Sequence, residues 1–266
     1  MTQENEQALA ASLWQARLQG QQLQASWYPD SMASAYRVQQ QMDRLSGETL
    51  AGYKIGATAT ETMAMLGVDA PFTGPLYPRF YRQHGATVPV HEIHNPRIEP
   101  EFAVCLGQSL VRQPGAAALS LDEIADAVAW VAPAIEFIGI RFHDTPAGRG
   151  VCAVADAGSN LDFVIGEPRH DWRSLDLTTS PVALNINGEQ VAEGHSGLSI
   201  TGNPLLMLGW LINESNLAGA PLDAGMVVSC GTCTPPFPVS AGDSVRADYR
   251  DLGSLECQVS AATGAS

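Results

Sequence analysis

Arg97-Ile98-Glu99-Pro100-Glu101-Phe102-Ala103-Val104 is the stretch on which the reading of this chain turns. Ile98, Phe102 and Val104 have the character of a buried strand, and in a strand side chains two apart share a face. Glu99 and Glu101 then project the same way from an apolar strand. Adjacent carboxylates in that setting repel each other and lose solvation. Something must neutralise them. A hard divalent cation with oxygen ligands fits, and magnesium keeps coordination positions open for a substrate.

Working outward, Pro133-Ala134-Ile135-Glu136-Phe137-Ile138 sets one more carboxylate inside an apolar strand. An E-x-E alone is common on a solvated edge strand, and Glu136 alone can pair with an arginine. Together, inside two apolar strands, they point to a shared metal site. Upstream, Gly52-Tyr53-Lys54-Ile55-Gly56 holds the only lysine, against thirteen arginines. Arginine stays protonated in essentially any site, whereas a buried lysine can lower its pKa and exchange a proton. The flanking glycines allow close approach of backbone or ligand. Beside a metal-bound carboxylate, Lys54 is placed to act as general acid or base near neutral pH.

The surrounding sequence is a series of short apolar segments separated by Gly, Pro and Asn. It predicts strands at 52–56, 97–106, 131–141, 161–165, 182–187, 226–230, 244–250 and 254–259. Asn187-Gly188 is a hairpin turn. The N-terminal part is helical, over 5–25 with Asn5 as cap and from Asp30 to Leu45, ending near Gly47. Ser120-Leu-Asp-Glu123 is a capping box that opens a helix through Trp130. Asn203-Pro204 opens another to Asn216. The aromatic segment 72–91 reads as a long loop, either a lid or an oligomer contact. The fold class is therefore α+β, with a helical N-terminal region at 1–70 and a β-rich catalytic domain at 71–266.

The 266 residues leave room for a sizeable core, and 45% apolar with 16% charged residues marks a globular chain. No apolar run is long enough to span a bilayer. The polar, acidic start, without the basic and apolar regions of an export signal, makes the cytoplasm the expected location. With 14 basic against 28 acidic residues there is no basic footprint for nucleic acid or an anionic membrane. A small anionic substrate needs a locally positive pocket, such as a bound cation supplies. Five cysteines, an odd number, argue for reduced thiols. Cys230 and Cys233 have C-x-x-C spacing, but Pro235-Pro236 forbids the helix a redox motif needs, so they read as small strand-end residues.

Taken in order, several motifs resemble the 2-keto-4-pentenoate hydratase family of the fumarylacetoacetate hydrolase superfamily. They are Gly52-Tyr-Lys-Ile-Gly56, Leu66-Gly-Val-Asp-Ala-Pro71, Pro96-Arg-Ile-Glu-Pro-Glu101 and Pro133-Ala-Ile-Glu136. Val154-Ala-Asp156, Asn187-Gly-Glu189, Gly202-Asn-Pro-Leu205, Gly231-Thr-Cys-Thr-Pro-Pro236-Phe-Pro238, Ala241-Gly-Asp243 and Leu252-Gly-Ser254 extend the match over roughly 45–260. The resemblance implies a helical N-terminal region packed on a mixed β-sandwich roll. It implies Mg²⁺ or Mn²⁺ held by Glu99, Glu101 and Glu136, with Lys54 as the proton-transfer residue. It places Arg141, Ser159, Leu76 and Asp156 at the substrate, though Arg141 can equally pair with an acid and Ser159 can belong to a turn. The substrate is a small 2-oxo acid, a 2-hydroxy-2,4-dienoate or its 2-oxo tautomer, which takes up water to give a 4-hydroxy-2-oxo acid.

Two departures bear on that reading. Where relatives carry Asp-Ser after the third glutamate's strand, this chain has Gly139-Ile140, and where they carry Asn-Ala-Ser it has Ala157-Gly158-Ser159. A 2-oxo-3-hexenedioate decarboxylase needs the same metal–enolate and is the alternative. An acylpyruvate-type C–C hydrolase is another, but the Ser-Ala-Arg-Asp stretch of that branch is missing. A catalytically silent binding homologue is the non-enzyme alternative, and retention of the three glutamates and Lys54 argues against it. The resemblance also implies a homo-oligomer and, as a partner, a decarboxylase of the same pathway.

Overall fold

The computed structural model describes residues 2–145 and 150–262. Two helices come first, α1 (Thr2–Gln19) and α2 (Met32–Ser46). They are followed by β1 (Gly52–Gly56), α3 (Thr60–Leu66), β2 (Phe72–Leu76), β3 (Tyr81–Gln83), β4 (Thr87–Val90) and β5 (Arg97–Leu106). Then come α4 (Leu121–Asp126), β6 (Val128–Ile138), α5 (Gly150–Ala155), β7 (Asn160–Ile165), β8 (Pro181–Ile186) and β9 (Glu189–His195). The chain closes with α6 (Pro204–Asn213), β10 (Val227–Thr232), β11 (Phe237–Pro238), β12 (Ser244–Asp248) and β13 (Ser254–Ala261).

The strands form two sheets. The larger runs β2-β1-β10-β5-β6-β7-β3, with β11 beside β5, and the smaller runs β4-β13-β12-β8-β9. Both contain parallel and antiparallel pairs. Their facing side chains make one core. Ile98, Phe102 and Val104 of β5 and Val131, Ile135 and Phe137 of β6 meet Leu184, Val245, Leu255 and Val259 of the smaller sheet. The other face of the larger sheet carries the intervening residues. There Ala103 and Cys105 of β5 lie with Ala132 and Ala134 of β6. Helices α1, α2 and α5 build a separate apolar cluster with Phe72, Tyr77 and Phe142. Strand alternation thus assigns each residue of β5 and β6 to the sandwich core or to the opposite, site-bearing face.

Helix ends follow local chemistry. Ser31 caps α2 and Gly47 ends it with φ 67°. The Ser120–Glu123 capping box is formed, and Asn203 caps α6 ahead of Pro204. Asn187 and Gly188 turn with φ 54° and 83°, as a two-residue hairpin between β8 and β9 requires.

Other expectations are corrected. Helix α1 starts at Thr2 and stops at Gln19, so Asn5 lies inside it rather than capping it. Helix α4 stops at Asp126, because Val128, Trp130 and Val131 pair with β5; tertiary pairing overrides the helical reading. Segment 72–91 is no free loop. It contributes β2, β3 and β4, and Gly74-Pro75 hid β2 because proline is confined to edge strands. Strand β9, a largely exposed and polar edge, had no alternation to reveal it. The expected boundary near residue 70 does not follow the sheet, since β1 lies between β2 and β10 inside it.

Tyr249, fully buried, ties the smaller sheet to the strand carrying Glu101. Its hydroxyl accepts from the Glu101 N–H (3.1 Å) and donates to the Ala134 carbonyl, and its ring meets Phe102 edge-on at 5.6 Å. Tyr249→Phe strands two buried backbone groups, which costs about 1–3 kcal/mol. Urea denaturation should show a loss of that size; a loss under about 0.5 kcal/mol would mean that β5 and β6 close the gap themselves.

Candidate metal centre and cavity

Glu99, Glu101 and Glu136 project from the site-bearing face of the larger sheet. Glu99 and Glu136 are direct cross-strand partners, and Glu101 lies two residues along from Glu99. Each offers a carboxylate oxygen, and these oxygens lie within 4.8 Å of one another. Glu101 and Glu136 are buried and Glu99 partly so. Lys54 enters the same face from β1, with Nζ 3.2 Å from Glu136 Oε2 and both side chains almost fully enclosed. The Phe72 ring lies 5.8 Å from the ammonium.

Two supports fix the carboxylates. The pairing of β10 with β5 slips between Ser229 and Thr232, beside Pro100, which has no N–H to offer the ladder. The slip aims the Gly231 N–H at Glu101 Oε2 (3.0 Å), where the Ser229 hydroxyl also donates. Gly231 holds φ 100°, and a Cβ there would lie 2.3 Å from Thr58 Oγ1, so this position needs glycine. On the other side, Asn160 Nδ2 donates to Glu136 Oε1 (3.0 Å). Arg17 of α1 in turn donates to Asn160 Oδ1 (2.9 Å) and to the Asn160 carbonyl (2.7 Å). That fixes the amide with its NH₂ toward the glutamate.

The electrostatics favour a bound dication. Burial pushes the Glu99 carboxyl up to about 7, aided by Glu136 and opposed by Lys54. Burial and the neighbouring carboxylates hold Glu101 well above its ordinary value. Glu136 is also raised by burial, against the pull of Lys54. For Lys54 burial acts downward, but Glu136, Glu99 and Glu101 outweigh it and the ammonium is held above its ordinary pKa. A lowered lysine pKa, expected from sequence, is therefore absent while the three carboxylates keep their charge. Glu136 Oε2 is buried without a hydrogen bond; its one close partner is the Lys54 ammonium. Three clustered carboxylates faced by one ammonium are the donor set a hard divalent cation takes.

The centre opens into a cavity of about 500 Å³. Lys54, Glu99, Asp156 and Ser159 line it, as do Gly139, Ile140 and Gly158 from the segments where the motifs depart. Met65, Leu66, Phe72 and Phe142 give it apolar walls. Two expected substrate contacts are elsewhere. Arg141 is fully buried and donates to Asp156 Oδ1 (2.7 Å) and the Asn160 carbonyl (2.6 Å), so the acid-pairing alternative describes its position. Leu76 is buried at the end of β2, packed with Ala103 and Ala134, and does not line the cavity. At Gly139 a Cβ would lie 2.6 Å from Leu161 Cδ1 and 2.8 Å from the His94 carbonyl, so the neighbours have closed over the missing side chain. Arg17 escaped the sequence reading, since nothing in α1 announces a residue 143 positions from its partner. Asn160, which follows Gly158-Ser159, is open from sequence to either a turn or a polar contact at the pocket, and the structure uses it to hold Glu136.

A family model described as fumarylacetoacetate (FAA) hydrolase C-terminal matches residues 57–260. The chain is 31% identical over 265 residues to the 2-keto-4-pentenoate hydratase of Paraburkholderia xenovorans (strain LB400), covering 97% of this chain and 96% of that one. It is 30% identical over 257 residues to a 4-oxalocrotonate decarboxylase of Pseudomonas putida, covering 94% and 95%. Its fold is similar to the solved structure of 4-oxalocrotonate decarboxylase from Pseudomonas putida G7 complexed with magnesium and adipate, with a TM-score of 0.86 and 28% identity over 97% of this chain and 98% of that one.

The raised Glu99 carboxyl makes metal-free stability depend on pH. A carboxyl whose folded pKa exceeds its unfolded value adds stability below the unfolded pKa, and that stability is lost as pH rises through the folded one. In chelator, the melting temperature should fall from pH 4.5 to above 7, the window set by Glu99. Glu99→Gln should flatten the fall. Equal slopes in the two proteins would show that Glu99 is not held in a repelling cluster.

Proposed function

The chain belongs to the FAA hydrolase family, and from that premise we propose that it is a metal-dependent lyase, a hydratase acting on a 2-hydroxy-2,4-dienoate, the enol of a 2-oxo-4-enoate. The observation that carries this reading is the convergence of Glu99, Glu101 and Glu136 within 4.8 Å, with Lys54 beside them at the cavity wall. The three glutamates would hold Mg²⁺ or Mn²⁺, which supplies Lewis acidity at the substrate's C2 oxygen and favours enolate character there. An anionic substrate can then enter a protein of net charge −14.

Lys54 is the proton-transfer residue. With the carboxylate charge taken up, burial is what remains to act on its ammonium, and burial lowers the pKa toward the range useful for acid–base work. The enol proton leaves the C2 oxygen and a proton is delivered to C5, giving a conjugated 2-oxo-3-enoate. Water then adds its oxygen at C4 and a proton at C3, and the product is a 4-hydroxy-2-oxo acid. Ser159 and Asp156 line the cavity where they can contact the substrate or the incoming water. Met65, Leu66, Phe72 and Phe142 receive the hydrocarbon part.

Decarboxylation of a 2-oxo-3-hexenedioate is the second reading. It is favoured by the full-length likeness to a decarboxylase whose structure holds a six-carbon diacid, and by the departures at Gly139, Ile140 and Gly158 in the cavity wall. Cytoplasmic residence, assembly into a homo-oligomer and association with a pathway decarboxylase are extended from the family resemblance. No helix among the described residues is long and apolar enough to cross a membrane.

The test is turnover by metal-stripped protein of 2-hydroxypenta-2,4-dienoate and of 2-oxo-3-hexenedioate, with and without Mg²⁺, following ultraviolet absorbance and released CO₂. Metal-dependent loss of the dienoate without CO₂ supports the hydratase; CO₂ from the diacid puts the decarboxylase first. Glu101→Ala should abolish both metal binding and turnover. Lys54→Arg should retain metal binding by calorimetry while turnover falls by roughly 100-fold or more, the scale of a lost general acid–base. Full activity in Lys54→Arg would remove the proton-transfer role.

A further inference from the structure

Arg97 opens β5, and strand alternation puts it on the same face as Glu99 and Glu101. It lines the cavity, and with Lys54 it makes the two cationic side chains among the described lining residues. Their situations differ. Lys54 is enclosed and engaged by Glu136 at 3.2 Å. Arg97 is exposed, and its one side-chain hydrogen bond among the described residues is long, 3.3 Å from Nη1 to the Pro236 carbonyl. It pairs with no carboxylate among the described residues, although acids outnumber bases 28 to 14 in this chain. Beside it, Asn95 turns with φ 49° and also lines the cavity, with no side-chain hydrogen bond among the described residues.

We propose that Arg97, with Asn95, forms a subsite for a second carboxylate, so that the cavity selects 2-oxo dicarboxylates of about six carbons over the corresponding monoacids. The inference rests on the reading of the three glutamates as the anchor for the 2-oxo acid end. Two residues along a strand is about 7 Å, and a 2-oxo acid anchored beside Glu99 needs several more carbons before a distal group comes level with the guanidinium. A short monoacid ends in the apolar part of the cavity and leaves Arg97 to solvent. A guanidinium binds a carboxylate bidentately, and an amide can add a third donor. The acids facing this region are Glu99, Glu61 and Asp156. Asp156 is engaged by Arg141, and the metal reading assigns Glu99 to the cation. Glu61, on α3, is the one left to oppose an incoming anion. The subsite belongs equally to a hydratase and to a decarboxylase of such diacids.

The test compares 2-oxohexanedioate with 2-oxohexanoate, which share the anchoring end and differ in the distal carboxylate alone. Affinities are measured by calorimetry on Mg²⁺-loaded wild type, Arg97→Gln and Arg97→Lys, with melting temperatures confirming that the variants are folded. Wild type should prefer the diacid by about 10-fold or more, the scale of one charge-assisted pair. Arg97→Gln should bring the ratio to within about 2-fold, and Arg97→Lys should restore part of it. Equal binding of the two acids by wild type, binding of neither, or a preference that survives in Arg97→Gln overturns the subsite. An Arg97-dependent preference in a protein that turns over no dienoate leaves the subsite standing and removes the hydratase reading instead.

Discussion

Three carboxylates with oxygens within 4.8 Å of each other, two of them buried and the third at the cavity wall, are the constraint on which the rest of the structure depends. Left alone, such a cluster repels itself and sheds solvation. The protein counters this with one lysine and a few aimed donors rather than with a matching set of cations. Ser229 and the Gly231 N–H serve Glu101, Asn160 serves Glu136, and Lys54 sits against Glu136. The compensation is partial: burial and mutual repulsion still hold the carboxyl pKa values above their ordinary range. A site left with this residual negative charge is suited to a cation, whereas full neutralisation by protein groups would leave a cation little to gain.

The sandwich makes that placement achievable. One face of β5 and β6 is given to a close-packed apolar core against the smaller sheet, which holds the strands in register. The other face can then carry groups that a lone hairpin could not keep in place. The slip in β10 acts at this level too: it surrenders regular pairing over Cys230 and Gly231 and gains a backbone donor for Glu101. Helix α1 contributes from outside the sheets, since Arg17 orients Asn160 and Asn160 orients Glu136. The N-terminal helices are thereby part of the site's support rather than a separate cap.

What was legible in the sequence follows from range and contrast. Glu99, Glu101, Glu136 and Lys54 stood out because each is a charge within an apolar strand, and alternation alone told which carboxylates share a face. β1 and β5 were read to the residue for the same reason. The polar edge β9 and the Gly-Pro-containing β2 lacked that contrast, and only their partners define them. Arg141 and Asn160 show a different limit. An arginine near an expected anion site reads as a ligand for that anion, but Asp156, 15 residues on, holds it in a buried pair. Asn160 was open to a turn or to a pocket contact, and its partners, a glutamate 24 residues away and an arginine 143 residues away, lie beyond any local pattern.

The same separation of roles bears on why this chain is similar both to a hydratase and to a decarboxylase. Hydration and decarboxylation of 2-oxo acids both need an electron sink at the C2 oxygen, so the groups that supply it cannot tell the reactions apart. Distinction has to come from what the cavity does at the far end of the substrate, at C4 and beyond, where water is admitted or withheld. Under the proposed anchoring at the glutamates, the cavity residues available to that region include Gly139, Ile140, Asp156, Ser159 and Arg97. The pair Gly139-Ile140 presents no acid or hydroxyl there, and Leu161 with the His94 carbonyl has closed the space behind Gly139. Placing a carboxylate at 139 would therefore force Leu161 and the His94 backbone apart rather than fill an empty slot, so the side chain at this position is tied to the packing behind it.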